Sequence, residues 1–215
     1  MRASVVELFP RFYDERQTAS AAVYVAHVDP MLVTDGTYFV HDAGGEIVAC
    51  GGWSRRGRLY VGSADQEGDD RLLDPATEAA HIRAMFVRPE WTRRGLGRAI
   101  LAAARDAARS EGFGRLDLGA TLPGVPLYRA FGFQEVEPFV VTMPDGVTLD
   151  AIVMERPIDV VPFDALSRAE PPGLTLGMAG AASRRDDQFV GRSDTVRSPG
   201  RRSILSTSAA WSSSA

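Results

Sequence analysis

The hydrophobic positions of the chain change their spacing several times before residue 157. Where apolar residues recur every three or four positions, the pattern predicts a helix; where they alternate or run together between turn residues, it predicts a strand. Thr18 or Ser20 is the expected N-cap in the first helical segment, and Asp29-Pro30 its stop. In chain order the pattern predicts two helices within 3–28, a hairpin of 38–40 and 46–53, a polar loop at 55–76, a strand at 80–87, a helix at 95–109, a strand at 115–119, a short helix at 125–131, and a hairpin of 135–142 and 147–155. This order predicts an α/β fold, mixed helices and strands around one sheet.

The composition changes after Pro157. Residues 158–215 carry two consecutive prolines, a run of small residues, several Arg and a Ser-rich end, without a hydrophobic period long enough to pack. We therefore expect one folded domain over residues 1–157 and a disordered C-terminal tail over 158–215.

Whole-chain composition narrows the function classes. The chain has 215 residues, 45% hydrophobic and 24% charged, as in a soluble globular protein. It shows no apolar stretch near the ~18 residues of a membrane span, and the net charge of −4 gives no general attraction to nucleic acid. It contains one cysteine, Cys50, and no Lys, which excludes an internal disulfide, a cysteine-rich metal site and Schiff-base chemistry. The default expectation is a metal-free cytoplasmic protein.

The strongest local signal joins the strand at 80–87 to the long helix after it. Gly95 and Gly97 stand there among Arg93, Arg94 and Arg98. Two glycines at a helix start let backbone N–H groups converge on an anion, and arginines add charge toward a polyphosphate. On spacing alone, the glycines serve close strand–helix packing equally well. A dinucleotide fingerprint would need a third glycine, and a Walker A loop a Lys; both are missing.

A second motif follows about thirty residues later, L-Y-x-x-x-G-F at 127–133. Together with V-x-P at 87–89 and R-R-G-L-G-R at 93–98, it resembles the GNAT superfamily of acyl-CoA-dependent N-acyltransferases, over roughly residues 35–156. The resemblance implies a mixed, mostly antiparallel central sheet flanked by helices, and acetyl-CoA as co-substrate without a metal. Family members normally open with a strand before the first helix; we expect either that this strand is missing here or that the sequence starts downstream of the true N-terminus.

The resemblance also implies roles for particular residues. Tyr128 matches the tyrosine that serves as general acid near the CoA sulfur. Thr121 stands where many members have an Asn that contacts pantetheine, and Thr92 replaces the usual Gln or Arg of the loop. The remaining implied CoA contacts are backbone groups: the strand residues Met85, Phe86 and Val87 for the pantetheine arm, and the loop residues Arg93, Arg94, Gly95, Leu96, Gly97 and Arg98 for the pyrophosphate.

The general base stays open at this level. Many family members place a Glu on the central strand, and here that position is His81, with Glu78 as the runner-up. Strand alternation predicts His81, Met85 and Val87 on one face. A hydrogen-bonded structural role explains His81 as well as catalysis does, and His27, His41 and Cys50 are expected to be structural. An irregular point on the central strand is expected to supply the N–H donor for the oxyanion.

The implied function is acetyl transfer from acetyl-CoA to a primary amine, by direct attack in a ternary complex. The alternative is a non-catalytic acyl-CoA-binding sensor or interaction module. The expected partner is a small-molecule or peptide amine, with no nucleic acid and no membrane, and a homodimer is left open. Acidic residues on the substrate side of the site would suit a cationic amine. Candidates for that side are Tyr13, Asp14, Glu15, Tyr24, Asp35, Tyr38 and Trp53.

Overall fold

The computed structural model describes residues 1–57, 71–158 and 175–178, which all belong to the unit Met1–Ala182. Five helices lie in this part of the chain: α1 Arg2–Leu8, α2 Glu15–Tyr24, α3 Pro30–Thr34, α4 Leu96–Ser110 and α5 Val125–Phe131. The strands described are β1 Tyr38–Ala43, β2 Glu46–Ser54, β3 Ala80–Val87, β4 Arg115–Thr121, β5 Gln134–Thr142, β6 Thr148–Pro157 and β7 Thr175–Met178.

The strands form one sheet in the order β5-β6-β4-β3-β2-β1-β7. All neighbours are antiparallel except β3 and β4, which run parallel. That pair is in register at only two positions, Ala80 with Leu116 and His81 with Asp117. Beyond them β4 continues to pair with β6 alone, so the sheet opens between β3 and β4. The mixed, mostly antiparallel sheet flanked by helices is confirmed.

Helix α4 covers one face of this sheet. Its buried stripe contains Ile100, Leu101, Ala104 and Ala108, each 0% exposed, which is the face that the sequence period predicts. Gly97 lies on the same stripe, and a Cβ there would be 2.9 Å from a methyl carbon of Leu127. The close approach of α4 to α5 therefore depends on this glycine.

The N-terminal segment contains two helices, α1 and α2, as predicted over 3–28, but the second begins at a different residue. A 3-10 turn with Pro10 separates α1 from α2, and Asp14 caps α2 with a capping box: its carboxylate accepts from the Gln17 N–H at 2.7 Å. Neither Thr18 nor Ser20 is the N-cap; both are buried inside α2. Pro30 begins a helix, because proline is well suited to a first helical turn.

The C-terminal segment contains a strand that its composition did not predict. Thr175–Met178 forms β7, antiparallel to β1, with Phe39 opposite Met178 and Asp42 opposite Thr175. Most of the predicted disordered tail, residues 159–174 and 179–215, lies outside the described residues, as does 58–70 of the predicted polar loop. In the described part, no helix is long and apolar enough to cross a membrane. The same part holds no group of three metal-ligating side chains.

Candidate active site

A cavity of about 680 Å³ lies where β3 and β4 separate. β3 lines it from Ile82 to Val87, and β4 contributes Gly119 and Thr121. The loop before α4 and the start of α5 close one end, and residues of α1, β5, β6 and the segment after α2 line the other. The gap between two parallel strands thus connects the two faces of the sheet through a single space.

The glycine loop at the first end has the backbone of an anion site. Gly95 caps α4 with φ +84°, and a Cβ built on it would meet nothing within 4 Å. Arg93 before it also has a positive φ, +63°. Arg93, Gly95, Leu96, Gly97 and Arg98 all line the cavity. The free N–H groups and positive dipole end of α4 therefore face a space wide enough for a phosphate group.

Arg94 is the exception among the predicted loop residues. Its guanidinium lies 4.6 Å from the centre of the Trp91 ring and donates to the Glu90 carbonyl oxygen at 3.0 Å. The side chain is not part of the cavity lining. Arg94 therefore holds the loop against the short 3-10 turn at Pro89–Trp91.

Strand β3 carries a bulge where it lines the cavity. Two residues, Ala84 and Met85, lie opposite the single residue Gly51 of β2, and Ala84 has φ +52°. A Cβ on Gly51 would be 2.1 Å from the Met85 sulfur and 3.2 Å from the Met85 Cα, so the Met85 side chain would have to move to admit one. The irregular point expected on the central strand is present.

The bulge changes which side chains share a face. Ile82 packs with Leu101 of α4, and Met85 and Val87 pack with the start of the same helix. The extra residue brings Met85 and Val87 to the face of Ile82, not to that of its neighbour His81. The predicted alternation of His81, Met85 and Val87 on one face is wrong for this reason.

The end of β3 presents backbone groups to the gap. Arg88 N–H donates to Val48 O, which makes Arg88 and Val48 a hydrogen-bonded pair of the antiparallel ladder. Val87, opposite Ala49, is then in the non-bonded pair, and its N–H and C=O point away from β2 toward the gap. The Ser4 hydroxyl of α1 donates to that carbonyl at 2.7 Å. The exposed edge of β3 can therefore pair with an extended amide-containing ligand.

Tyr128 projects from α5 into the same cavity. It is 9% exposed, and its ring packs edge-on against Phe133 at 5.8 Å between centres. A Cβ on Gly124 would be 2.8 Å from the Tyr128 ring, so this glycine makes room for it. Burial raises the pKa of Tyr128 above its usual value, which keeps the hydroxyl protonated at neutral pH.

A family model supplies the deciding comparison. The model of the acetyltransferase (GNAT) family matches residues 3–133, more than half of the chain. The chain belongs to the GNAT acetyltransferase family. No curated protein sequence matches it.

A solved GNAT structure agrees with this fold. A GCN5-related N-acetyltransferase from Rhodopseudomonas palustris is 18% identical, with a TM-score of 0.55 over 73% of this chain and 84% of that one, and at this identity the likeness shows the fold alone. The PaiA N-acetyltransferase from Thermoplasma acidophilum, solved with coenzyme A, is 12% identical, with a TM-score of 0.48 over 73% of this chain and 87% of that one.

Both candidate bases lie outside the GNAT cavity. His81 lines a separate cleft of about 310 Å³, and its Nδ1 is bonded to the Asp117 carboxylate of β4. Glu78 lines that cleft too, and the hydrogen bond from Arg71 lowers its pKa to about 2. The bond from Nδ1 to Asp117 fits the hydrogen-bonded structural role that was the alternative interpretation of His81.

The far end of the cavity differs from the predicted substrate side. None of the seven candidates Tyr13, Asp14, Glu15, Tyr24, Asp35, Tyr38 and Trp53 lines it. Its wall is apolar, formed by Leu8, Phe9, Phe12, Val25, Phe139, Val141 and Leu149. Among the described residues, no Asp or Glu lines the cavity. The acidic wall suited to a cationic amine is therefore not found in this part of the chain.

The ionisable side chains at this end belong to two arginines and a histidine. Arg83 is buried and pairs with the Asp29 carboxylate at 3.0 Å. Arg11 and His27 also line the cavity and are exposed to solvent. The sequence predicted a structural role for His27, because nothing in the local pattern shows that the segment after α2 reaches the cavity wall.

Proposed function

We propose that the protein is an N-acetyltransferase that moves an acetyl group from acetyl-CoA to a primary amine in the cytoplasm, by direct attack in a ternary complex. The supporting observation is the single cavity through the open sheet. It joins the glycine loop, the bulge of β3 and Tyr128, so that groups suited to binding and to chemistry face one space.

The residues present fit coenzyme A. In this proposal the N–H groups of the loop from Arg93 to Arg98 hold the pyrophosphate, and the side chains of Arg93 and Arg98 add positive charge. The edge of β3 from Met85 to Val87 pairs with the pantetheine arm, and Thr121 on β4 lines the opposite side. Acetyl-CoA supplies the activated acetyl thioester when bound.

The chain's own groups supply the polar chemistry. The N–H of Met85, at the bulge, stabilises the negative charge that develops on the thioester oxygen. The Tyr128 hydroxyl holds a proton for the departing sulfur, and its raised pKa keeps that proton in place until sulfur gains charge.

His27 replaces His81 as the proposed base. Its imidazole lines the acceptor end, and a neutral imidazole takes the proton of an ammonium directly or through a water molecule. The wall there is apolar and, in the part of the chain that the structure describes, holds no Asp or Glu. It suits an amine on an apolar body better than a polycation, because burying several unpaired cations would cost free energy.

A panel of amines tests this function. Free CoA is measured with a thiol reagent after acetyl-CoA is mixed with apolar primary amines, amino acids, polyamines and peptides. We expect turnover of at least one apolar amine and none of spermidine. A protein that binds acetyl-CoA but releases no CoA with any amine would instead be the non-catalytic acyl-CoA-binding module.

A further inference from the structure

Tyr38 of β1 lies directly behind the bulge of β3. The side chain is 2% exposed, and its hydroxyl donates a hydrogen bond to the Ala84 carbonyl oxygen at 3.1 Å. Ala84 is the residue with φ +52°, a conformation that an L side chain rarely adopts without support from its surroundings. The phenol therefore contacts the strained backbone itself.

This hydrogen bond fixes the direction of one peptide group. In a trans peptide, the carbonyl of one residue and the N–H of the next point in opposite directions. Since the Ala84 carbonyl points at Tyr38, the Met85 N–H points away from Tyr38. Both Ala84 and Met85 line the cavity, and Met85 has no partner in the β2 register.

The surroundings hold the phenol in place. Tyr38 packs with Leu32 and Cys50 in one buried cluster. Burial raises the pKa of Tyr38 far above its usual value, so the hydroxyl remains a donor. A Cβ on Gly52 would lie 2.4 Å from the Thr37 carbonyl oxygen and 3.0 Å from the Tyr38 ring, so the backbone beside Tyr38 admits only glycine at this position.

We infer that Tyr38 is a positioning residue for acyl transfer: its hydroxyl holds the Ala84–Met85 peptide so that the Met85 N–H faces the thioester oxygen. The inference rests on the proposed function, in which that N–H stabilises the oxyanion. Tyr38 does not line the cavity and acts only through the backbone that it holds.

Infrared spectroscopy of bound [1-¹³C]acetyl-CoA, without an amine, reports on this N–H directly. A hydrogen bond to the thioester oxygen lowers the carbonyl stretching frequency, and Tyr38→Phe should return part of that shift. In single-turnover experiments the same variant should transfer acetyl roughly tenfold more slowly, as expected for a misdirected oxyanion donor. Its acetyl-CoA affinity should stay within about twofold, because the glycine loop provides the pyrophosphate contacts.

Tyr13→Phe is the matched control. Tyr13 is also buried, and its hydroxyl bonds backbone groups away from the bulge: it donates to the Asp150 carbonyl at 2.7 Å and accepts from the Leu122 N–H at 2.9 Å. Tyr13→Phe loses both bonds, so it should lower thermal stability at least as much as Tyr38→Phe while leaving the carbonyl frequency and the rate unchanged. Ala84→Gly, added to Tyr38→Phe, should restore part of the rate, because glycine adopts a positive φ without strain. If Tyr38→Phe alone does not fold, the carbonyl frequency and the rate are measured on this double variant instead.

The outcomes separate the two ideas. A wild-type protein that binds acetyl-CoA with an unshifted carbonyl frequency overturns the oxyanion role of Met85 and, with it, this inference. A shifted wild type whose Tyr38→Phe variant keeps the same frequency and rate overturns the inference alone, and Tyr38 is then a core residue.

Discussion

Gly95 combines two features that a larger residue would disturb separately. Its φ is +84°, and the position where a Cβ would stand is open cavity. Gly95→Asp puts a negative charge into the proposed pyrophosphate cradle, and we expect acetyl-CoA affinity to fall at least a hundredfold. Gly95→Asn is the control, since Asn has the same shape, no charge and some tolerance of positive φ. Titration calorimetry should show a much smaller loss for Asn; equal losses would mean that backbone strain, not charge, disrupts the loop.

Tyr128 is predicted to act on the chemical step. Tyr128→Phe keeps the ring contact with Phe133 and removes only the hydroxyl. We expect the single-turnover rate to fall by ~10²-fold with little change in acetyl-CoA affinity, because the proton is needed only as sulfur gains charge. Single-turnover mixing measures this step even if product release limits kcat. A wild-type rate in the Phe variant would assign Tyr128 to the core and leave water to protonate the sulfur.

At the scale of elements, the sequence predicted the limits of a strand or helix best where its hydrophobic period ends next to a Pro or Gly. The strand at 80–87 and the helix at 125–131 have the same limits in the structure, Ala80–Val87 and Val125–Phe131. Pro89 and Gly132 mark their ends by local chemistry. The start of the second helix was predicted wrongly, because the Asp14 capping box begins α2 and not the hydroxyl of Thr18 or Ser20.

The bulge of β3 could not be derived from alternation. Nothing local makes Ala84 adopt a positive φ; the cause is two neighbours on other strands, Gly51, which leaves space, and Tyr38, which supplies a donor. The candidate base could not be derived from local sequence for the same reason, because packing between distant segments decides whether His81 or His27 reaches the cavity. The motifs that carry the glycine loop and Tyr128 are local, and the structure brings both to the cavity.

The packing of β2 against β3 can be tested through the same glycine. In Gly51→Ala the new Cβ would stand 2.1 Å from the Met85 sulfur and 3.1 Å from a methyl carbon of Ile100. We expect a loss of about 1–3 kcal/mol in the free energy of unfolding, measured with urea. Met85→Ala should cost less in the Gly51→Ala background than in the wild type, because it removes the colliding sulfur. Additive losses would mean that the strand backbone, not Met85, takes up the strain.

At the scale of the whole molecule, the family resemblance implied the mixed, mostly antiparallel sheet, whereas the opening between β3 and β4 is seen only in the structure. Parallel pairing that stops after His81 and Asp117 leaves a gap, and the gap becomes the cavity that joins both faces. The outer edge was not foreseen. Its last strand, β7, comes from a segment whose residues show no strand period, because backbone pairing with β1 needs no particular side-chain pattern.

The strand β7 makes a prediction about truncation that differs from the one the sequence supports. Composition alone predicts that ending the chain after Asp159 leaves stability unchanged, whereas the structure pairs Thr175–Met178 with Phe39–Asp42 of β1. We expect the chain that ends after Asp159 to melt at a lower temperature and to self-associate, because the edge of β1 is then unpaired. A chain that ends after Ala182 keeps β7 and should melt like the full chain. Both should bind acetyl-CoA equally, since β2 separates β1 from β3 and the glycine loop. Differential scanning fluorimetry, light scattering and calorimetry on the two truncated chains measure these three quantities, and identical melting temperatures would show that β7 adds nothing to the sheet.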